Sequence, residues 1–255
     1  MGIYDRDYYR QSLPRGGFGH FSAWSVTTWL IVINVAVFML DGMLSRGQRM
    51  HRMGPLEQWG YFSTTTAIYG GQIWRFITFQ FLHASPGHLI GNMIGMFFFG
   101  PIVEAQFGPR RYLAFYLMCG LAGAACYLLL SFTHILVTNP GMPMVGASAG
   151  IFGLLVAAAM IAPHVQVFYY LFPVTIGMLA VLGMLMALYT VLAYGPNAGG
   201  EAGHLGGGVF GFLLMKNQHW LNPFESTRAA AVGTSVRRRP RRRMFQKDWS
   251  KDFNR

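Results

Sequence analysis

Between Arg111 and Lys216 the chain has no lysine and no arginine, and Glu201 is the only acidic residue in that stretch. No other feature constrains the fold as tightly. Charges at the centre of a bilayer are costly, so a long uncharged apolar stretch belongs in lipid. Composition agrees: 53% of the 255 residues are apolar and 11% are charged, against about 25% charged in a soluble domain. An ordinary soluble enzyme and a disordered chain are both excluded.

A spanning helix needs roughly 20 residues to cross a hydrocarbon core of about 30 Å. Apolar runs of that order lie at 22–43, 86–107, 111–132, 147–163, 168–193 and 199–217. Pro86 suits a helix start, while the prolines and glycines of 133–146 and the Gly195-Pro196-Asn197 break mark loops. The expected fold is an all-α polytopic membrane protein with six spans. Residues 1–21 are polar and aromatic and lack the apolar core of a secretory signal, so the first run reads as an uncleaved span. Segment 44–85 mixes Arg46, Arg49 and Arg52 with Trp59, Tyr61 and Trp74. That mixture suits short helices lying partly in the headgroup layer.

The net charge of +11 is uneven, with over half of the 20 Lys and Arg residues at or beyond Lys216. Six spans put both ends on one side, and the basic tail 218–255 makes that side cytoplasmic, as do Arg110 and Arg111. Arg46, Arg49 and Arg52 point the other way but are fewer. The cluster Arg237–Arg243 is juxtamembrane and suits anionic lipid better than nucleic acid. The compact six-span pattern, without an organelle-targeting segment, suits a bacterial cytoplasmic membrane. Cys119 and Cys126 lie in an apolar run and make no disulfide framework.

Few polar residues remain in the apolar body, so each needs a reason. Ser148 lies in Gly146-Ala147-Ser148-Ala149-Gly150, which matches G-x-S-x-G, a pattern found around nucleophilic serines. From that pentapeptide alone a helix N-cap is the better reading. His204, in the sixth run, could act as general base for a serine hydroxyl. His88 and Asn92, spaced i, i+4, share a helix face and could donate to an oxyanion; the alternative is helix-to-helix hydrogen bonding. Glu201, three residues before His204, makes a Ser-His-Glu triad conceivable, but a place facing water at the top of the sixth span is expected instead. Gly199, Gly203, Gly207 and Gly211 form a ridge, as do Ala149, Gly153 and Ala157, which suggests that the fourth and sixth spans touch.

Taken together, Trp74-Arg75, His83, His88, Asn92, Gly146-Ala147-Ser148 and Gly203-His204-Leu205-Gly206-Gly207 resemble the rhomboid intramembrane serine proteases over roughly residues 22–217. The resemblance implies a six-helix rhomboid-like bundle. It makes Ser148 the nucleophile and His204 the general base of a dyad without a carboxylate. It makes His88 and Asn92 oxyanion donors, joined by the Ser148 N–H. Gly146 then precedes the nucleophile by two, Phe152 stacks on the catalytic histidine, and His83, Arg75 and Glu104 support the structure. Single-pass or polytopic membrane proteins would be the substrates. They would reach the site between helices, with the aromatic start of the fifth span (Phe168, Tyr169, Tyr170, Phe172) as gate. No cofactor is implied. Two positions depart from the usual pattern: Ala149 replaces a common glycine, and Phe152 replaces a common tyrosine whose hydroxyl would help orient His204.

Other chemistries lack residues. There is no His-Glu-x-x-His for zinc. All five aspartates (Asp5, Asp7, Asp41, Asp248, Asp252) lie outside the spans or at an end, so an aspartyl dyad has no candidates. A transporter would be expected to pair its two halves as repeats, and none is visible. The remaining alternative is a catalytically silent rhomboid-like factor that binds membrane proteins without cutting them.

Overall fold

The computed structural model describes residues 24–45, 53–133, 135, 140–169 and 172–224. The 1–21 segment, Arg46, Arg49, Arg52, Tyr170 and the tail from 225 lie outside the described residues.

Six helices occupy the six apolar runs: α1 (Val26–Leu44), α4 (Pro86–Phe107), α5 (Pro109–Phe132), α6 (Ser148–Ile161), α7 (Ile176–Leu192) and α8 (Ala198–Lys216). The short helices α2 (Pro55–Gly60) and α3 (Arg75–Thr78) lie between α1 and α4. By length and composition α1, α4 and α5 can cross a membrane, while α6 and α7 are shorter apolar helices. Their outer faces carry exposed apolar side chains, such as Ile90, Ile94 and Phe97 on α4 and Val181, Leu185 and Met186 on α7. Exposed apolar surface on this scale faces lipid rather than water.

The contacts at the helix ends fix the direction of each helix. Glu104, near the end of α4, accepts from Val26 N (2.7 Å), Thr27 N (2.9 Å) and Thr27 Oγ1 (2.7 Å). A carboxylate there satisfies the free N–H groups at the start of α1 and complements its dipole. Arg111, at the start of α5, donates to Gln218 O just past α8. The start of α1, the turn between α4 and α5, and the end of α8 therefore share one face. The starts of α4, α6 and α8 lie at the opposite face.

Small residues bring the inner helices together. A methyl at Gly207 would collide with the Ala149 carbonyl, and one at Gly211 would lie 2.7 Å from Gly153 Cα. The expected contact of the fourth and sixth runs is thus present, backbone against backbone. Gly206 meets α5 at Ala122 and Cys126, so α8 is thinned on two faces. Among the described residues Cys119 and Cys126 are free thiols.

Three boundaries differ from the sequence expectation. The fifth run does not begin as a helix: strands β1 (Gln166–Tyr169) and β2 (Phe172–Thr175) form an antiparallel hairpin, with Phe168 opposite Pro173. Proline disfavours a helix interior, because it lacks an N–H and crowds the preceding turn, and Thr175 caps α7 by accepting from Met178 N at 3.2 Å. The fourth helix stops at Ile161, before Pro163. Past α8, residues Gln218–Phe224 form a 3₁₀ turn. Leu221 is fully buried there, so packing continues past α8 into this turn.

Segment 53–85 consists of short helices, as expected, and it packs on the cavity-side face. Trp59 and Trp74 stack at 5.7 Å. Arg75 lies over the Tyr61 ring and donates to Tyr61 O at 2.6 Å and to Gln58 O at 3.1 Å. Arg75 thus ties α2 to α3, in keeping with a supporting role.

Candidate active site

Ser148 is the first residue of α6, with Ala147 at the N-cap position. It is therefore not the capping serine that the pentapeptide alone suggests. Its N–H lies in the first turn, where no acceptor exists within the helix. The preceding loop is held from outside: Phe62 N donates to Met144 O (3.0 Å), Met144 N to Phe62 O (2.7 Å), and Gly146 N to Phe79 O (2.9 Å). The segment before α4 therefore fixes the strand that leads into Ser148.

His88 and Asn92 stand on the first turns of α4, which Ser85 caps by accepting from His88 N at 3.2 Å. Gly146 brings the serine loop against them. Its φ is +129°, a region that side chains avoid. A methyl there would lie 2.8 Å from His88 Nε2 and 3.5 Å from Asn92 Nδ2. Glycine is required on both counts. Asn92 is buried, and its Nδ2 has no hydrogen-bond partner among the described residues. Buried donors are nearly always paired, so an unpaired one calls for a functional explanation. His83 is fully buried and its ring meets that of His88 edge-on at 5.1 Å.

His204 lies in the second turn of α8. Its ring stacks on Phe152, with centroids 4.2 Å apart and planes 5° from parallel. Its Nδ1 lies 2.8 Å from Glu201 Oε2. The expectation that Glu201 simply faces water is corrected: its side chain is only 23% exposed and turns back onto the histidine. One helical turn separates the two residues, so the i, i+3 spacing makes the contact sterically natural.

Ser148, His204, His88, Asn92 and Phe152 line one cavity of about 740 Å³, which Tyr194–Gly200 also borders. Sequence reasoning missed that last segment, and the Gly-Pro-Asn break was its only signal. The cavity lies at the N-terminal ends of α4, α6 and α8. Helix N-termini carry partial positive charge and free N–H groups, so negative charge developing there is favoured. By contrast, Phe168 and Phe172 follow the far end of α6, about 20 Å from Ser148 at 1.5 Å per residue. Phe168 and Phe172 are therefore not beside the cavity; the end of α7 is. Among the described residues no cluster of His, Cys, Asp or Glu could hold a metal ion.

A helical membrane bundle with a serine at a helix start, lining the same cavity as a ring-stacked histidine, defines a recognisable class of membrane protein. The family model described as the Rhomboid domain matches residues 70–218, and the chain belongs to the rhomboid family. It is similar to Rhomboid-like protein 17, chloroplastic, of Arabidopsis thaliana, 25% identical over 79% of this chain and 68% of the relative. RHOMBOID-like protein 12, mitochondrial, is 25% identical over 71% of this chain and 55% of its own length. Inactive RHOMBOID-like protein 8 is 32% identical over 39% of this chain and 26% of its own length. The chain thus spans about two thirds of the first relative and a smaller share of the other two. Two of these names place those relatives in plant organelles, which stands against inferring a bacterial membrane from compactness alone.

Proposed function

We propose that this protein is an intramembrane serine endopeptidase that cleaves transmembrane segments of membrane proteins. One observation carries the reading: Ser148 and His204 line a single cavity into which the buried Asn92 brings an unpaired donor. His204 Nε2 takes the Ser148 proton as Oγ attacks a peptide carbonyl. The oxyanion is met by the Ser148 N–H and by His88 and Asn92. Collapse passes the proton to the leaving amine, and water hydrolyses the acyl-enzyme. Gly146 and Phe152 hold the donors and the ring, and His83 backs His88. No cofactor enters the scheme.

A helical substrate has its carbonyls hydrogen-bonded internally, so it must unwind before cleavage. Segments with glycine or small residues near the cut suit this best. Substrate access is lateral, past the end of α7. Arg110, Arg111 and Lys216 gather at the face opposite the cavity, which makes that face cytoplasmic and opens the cavity to the other side. Both ends of the chain and the basic tail then lie in the cytoplasm, and the tail meets anionic lipid.

A fluorophosphonate probe tests the serine directly, since an unactivated hydroxyl does not react. Labelling of the wild type and none of Ser148→Ala or His204→Ala is expected. An unlabelled, folded wild type would favour the silent membrane-protein binder, a reading that the name of the inactive relative keeps in view.

A further inference from the structure

The ring of His204 is restrained by two contacts of different kinds. Stacking on Phe152 fixes the plane of the imidazole but not its in-plane flip, which would exchange nitrogen for carbon. Nor does a phenyl face select which nitrogen carries the hydrogen. Phe152 has no hydroxyl to do so. The second contact does both: a carboxylate oxygen can only accept, so the 2.8 Å approach of Glu201 Oε2 puts the ring hydrogen on Nδ1. The lone pair is then on Nε2, the atom that a serine base needs.

Resting on the protease reading above, we propose that Glu201 is a positioning residue for His204. Its carboxylate holds the ring in the Nε2-basic tautomer and stabilises the imidazolium that forms when Ser148 gives up its proton. Two features of the place allow a carboxylate in so apolar a segment. Glu201 is in the first turn of α8, where the helix dipole favours negative charge. It also keeps partial contact with solvent, at 23% exposure. The same exposure limits the effect. A fully buried triad carboxylate contributes roughly ten-thousand-fold to turnover; here about ten- to a hundredfold is expected.

The test combines a spectroscopic and a kinetic readout on the full chain. With ¹⁵N-labelled histidine, the His204 ring signal is identified by its loss in His204→Ala. In the wild type it should report hydrogen on Nδ1, and in Glu201→Ala it should move toward hydrogen on Nε2. Turnover by Glu201→Ala and Glu201→Gln should fall about ten- to a hundredfold with KM within about twofold, and Glu201→Asp should recover part of the loss. A glutamine can turn its amide toward Nδ1 and select the wrong tautomer, so it should not rescue. A wild-type ring with hydrogen on Nε2, or unchanged kcat in Glu201→Gln, overturns the inference and leaves the protease reading standing. An inactive wild type whose Nδ1 hydrogen is lost in Glu201→Ala overturns the protease reading while the pairing itself survives.

Discussion

At the residue scale, the identities of the site side chains were legible because so few polar groups remain in the apolar body. Ser148, His204, His88 and Asn92 were each visible as an expense without a stated return. Their convergence was not visible. It depends on Gly146 adopting a positive φ and on three helix starts meeting, and neither is encoded in local spacing. The i, i+3 spacing makes the Glu201 contact possible without deciding it, because spacing says that two residues can meet and not that they do. Asn92 gives a clean test of the site. In the proposed mechanism its unpaired Nδ2 serves the transition state and not the resting fold, so Asn92→Ala should lower kcat about a hundredfold or more with little change in KM. A loss confined to KM would assign Asn92 to substrate binding instead.

At the element scale, helix existence was legible and helix ends less so. The hairpin at 166–175 was hidden because Val, Phe and Tyr are as apolar in a strand as in a helix, so an apolar run does not declare its period. Pro173 was the one local clue. The role of segment 53–85 could not be read either, since Phe62–Met144 pairing is a long-range backbone contact. Glu104→Ala removes three hydrogen bonds from the start of α1 and should cost about 1–3 kcal/mol, lowering the melting temperature in detergent while kcat of the folded protein is unchanged. A selective loss of kcat at unchanged melting temperature would mean that Glu104 acts on the site. For substrate access, a short covalent tether between α4 and the C-terminal half of α7 should block cleavage of membrane-embedded substrates and spare fluorophosphonate labelling. Unimpaired cleavage by the tethered protein would remove the lateral route.

At the scale of the whole molecule, a single arrangement explains several separate facts. Helices α4, α6 and α8 start at the cavity, and α1, α5 and α7 run back toward it. The starts of α4, α6 and α8 thus bring His88, Asn92, Ser148 and His204 to the cavity, while Arg110, Arg111 and Lys216 collect at the other face. The uncharged stretch after Arg111 requires lipid around the bundle, and the glycines of α8 allow its backbone close enough to α6 to bring His204 and Ser148 to one cavity. The measurement that bears most directly on the central claim uses proteoliposomes without detergent. Wild type, Ser148→Ala and His204→Ala are each incubated with a reporter whose single span carries Gly and Ala near the end that meets the cavity side. A second reporter has those residues replaced by Leu. Cleavage of the first reporter by wild type alone, with the Leu reporter cut more slowly, is the expected result. Cleavage that survives in Ser148→Ala or His204→Ala would contradict a serine–histidine protease.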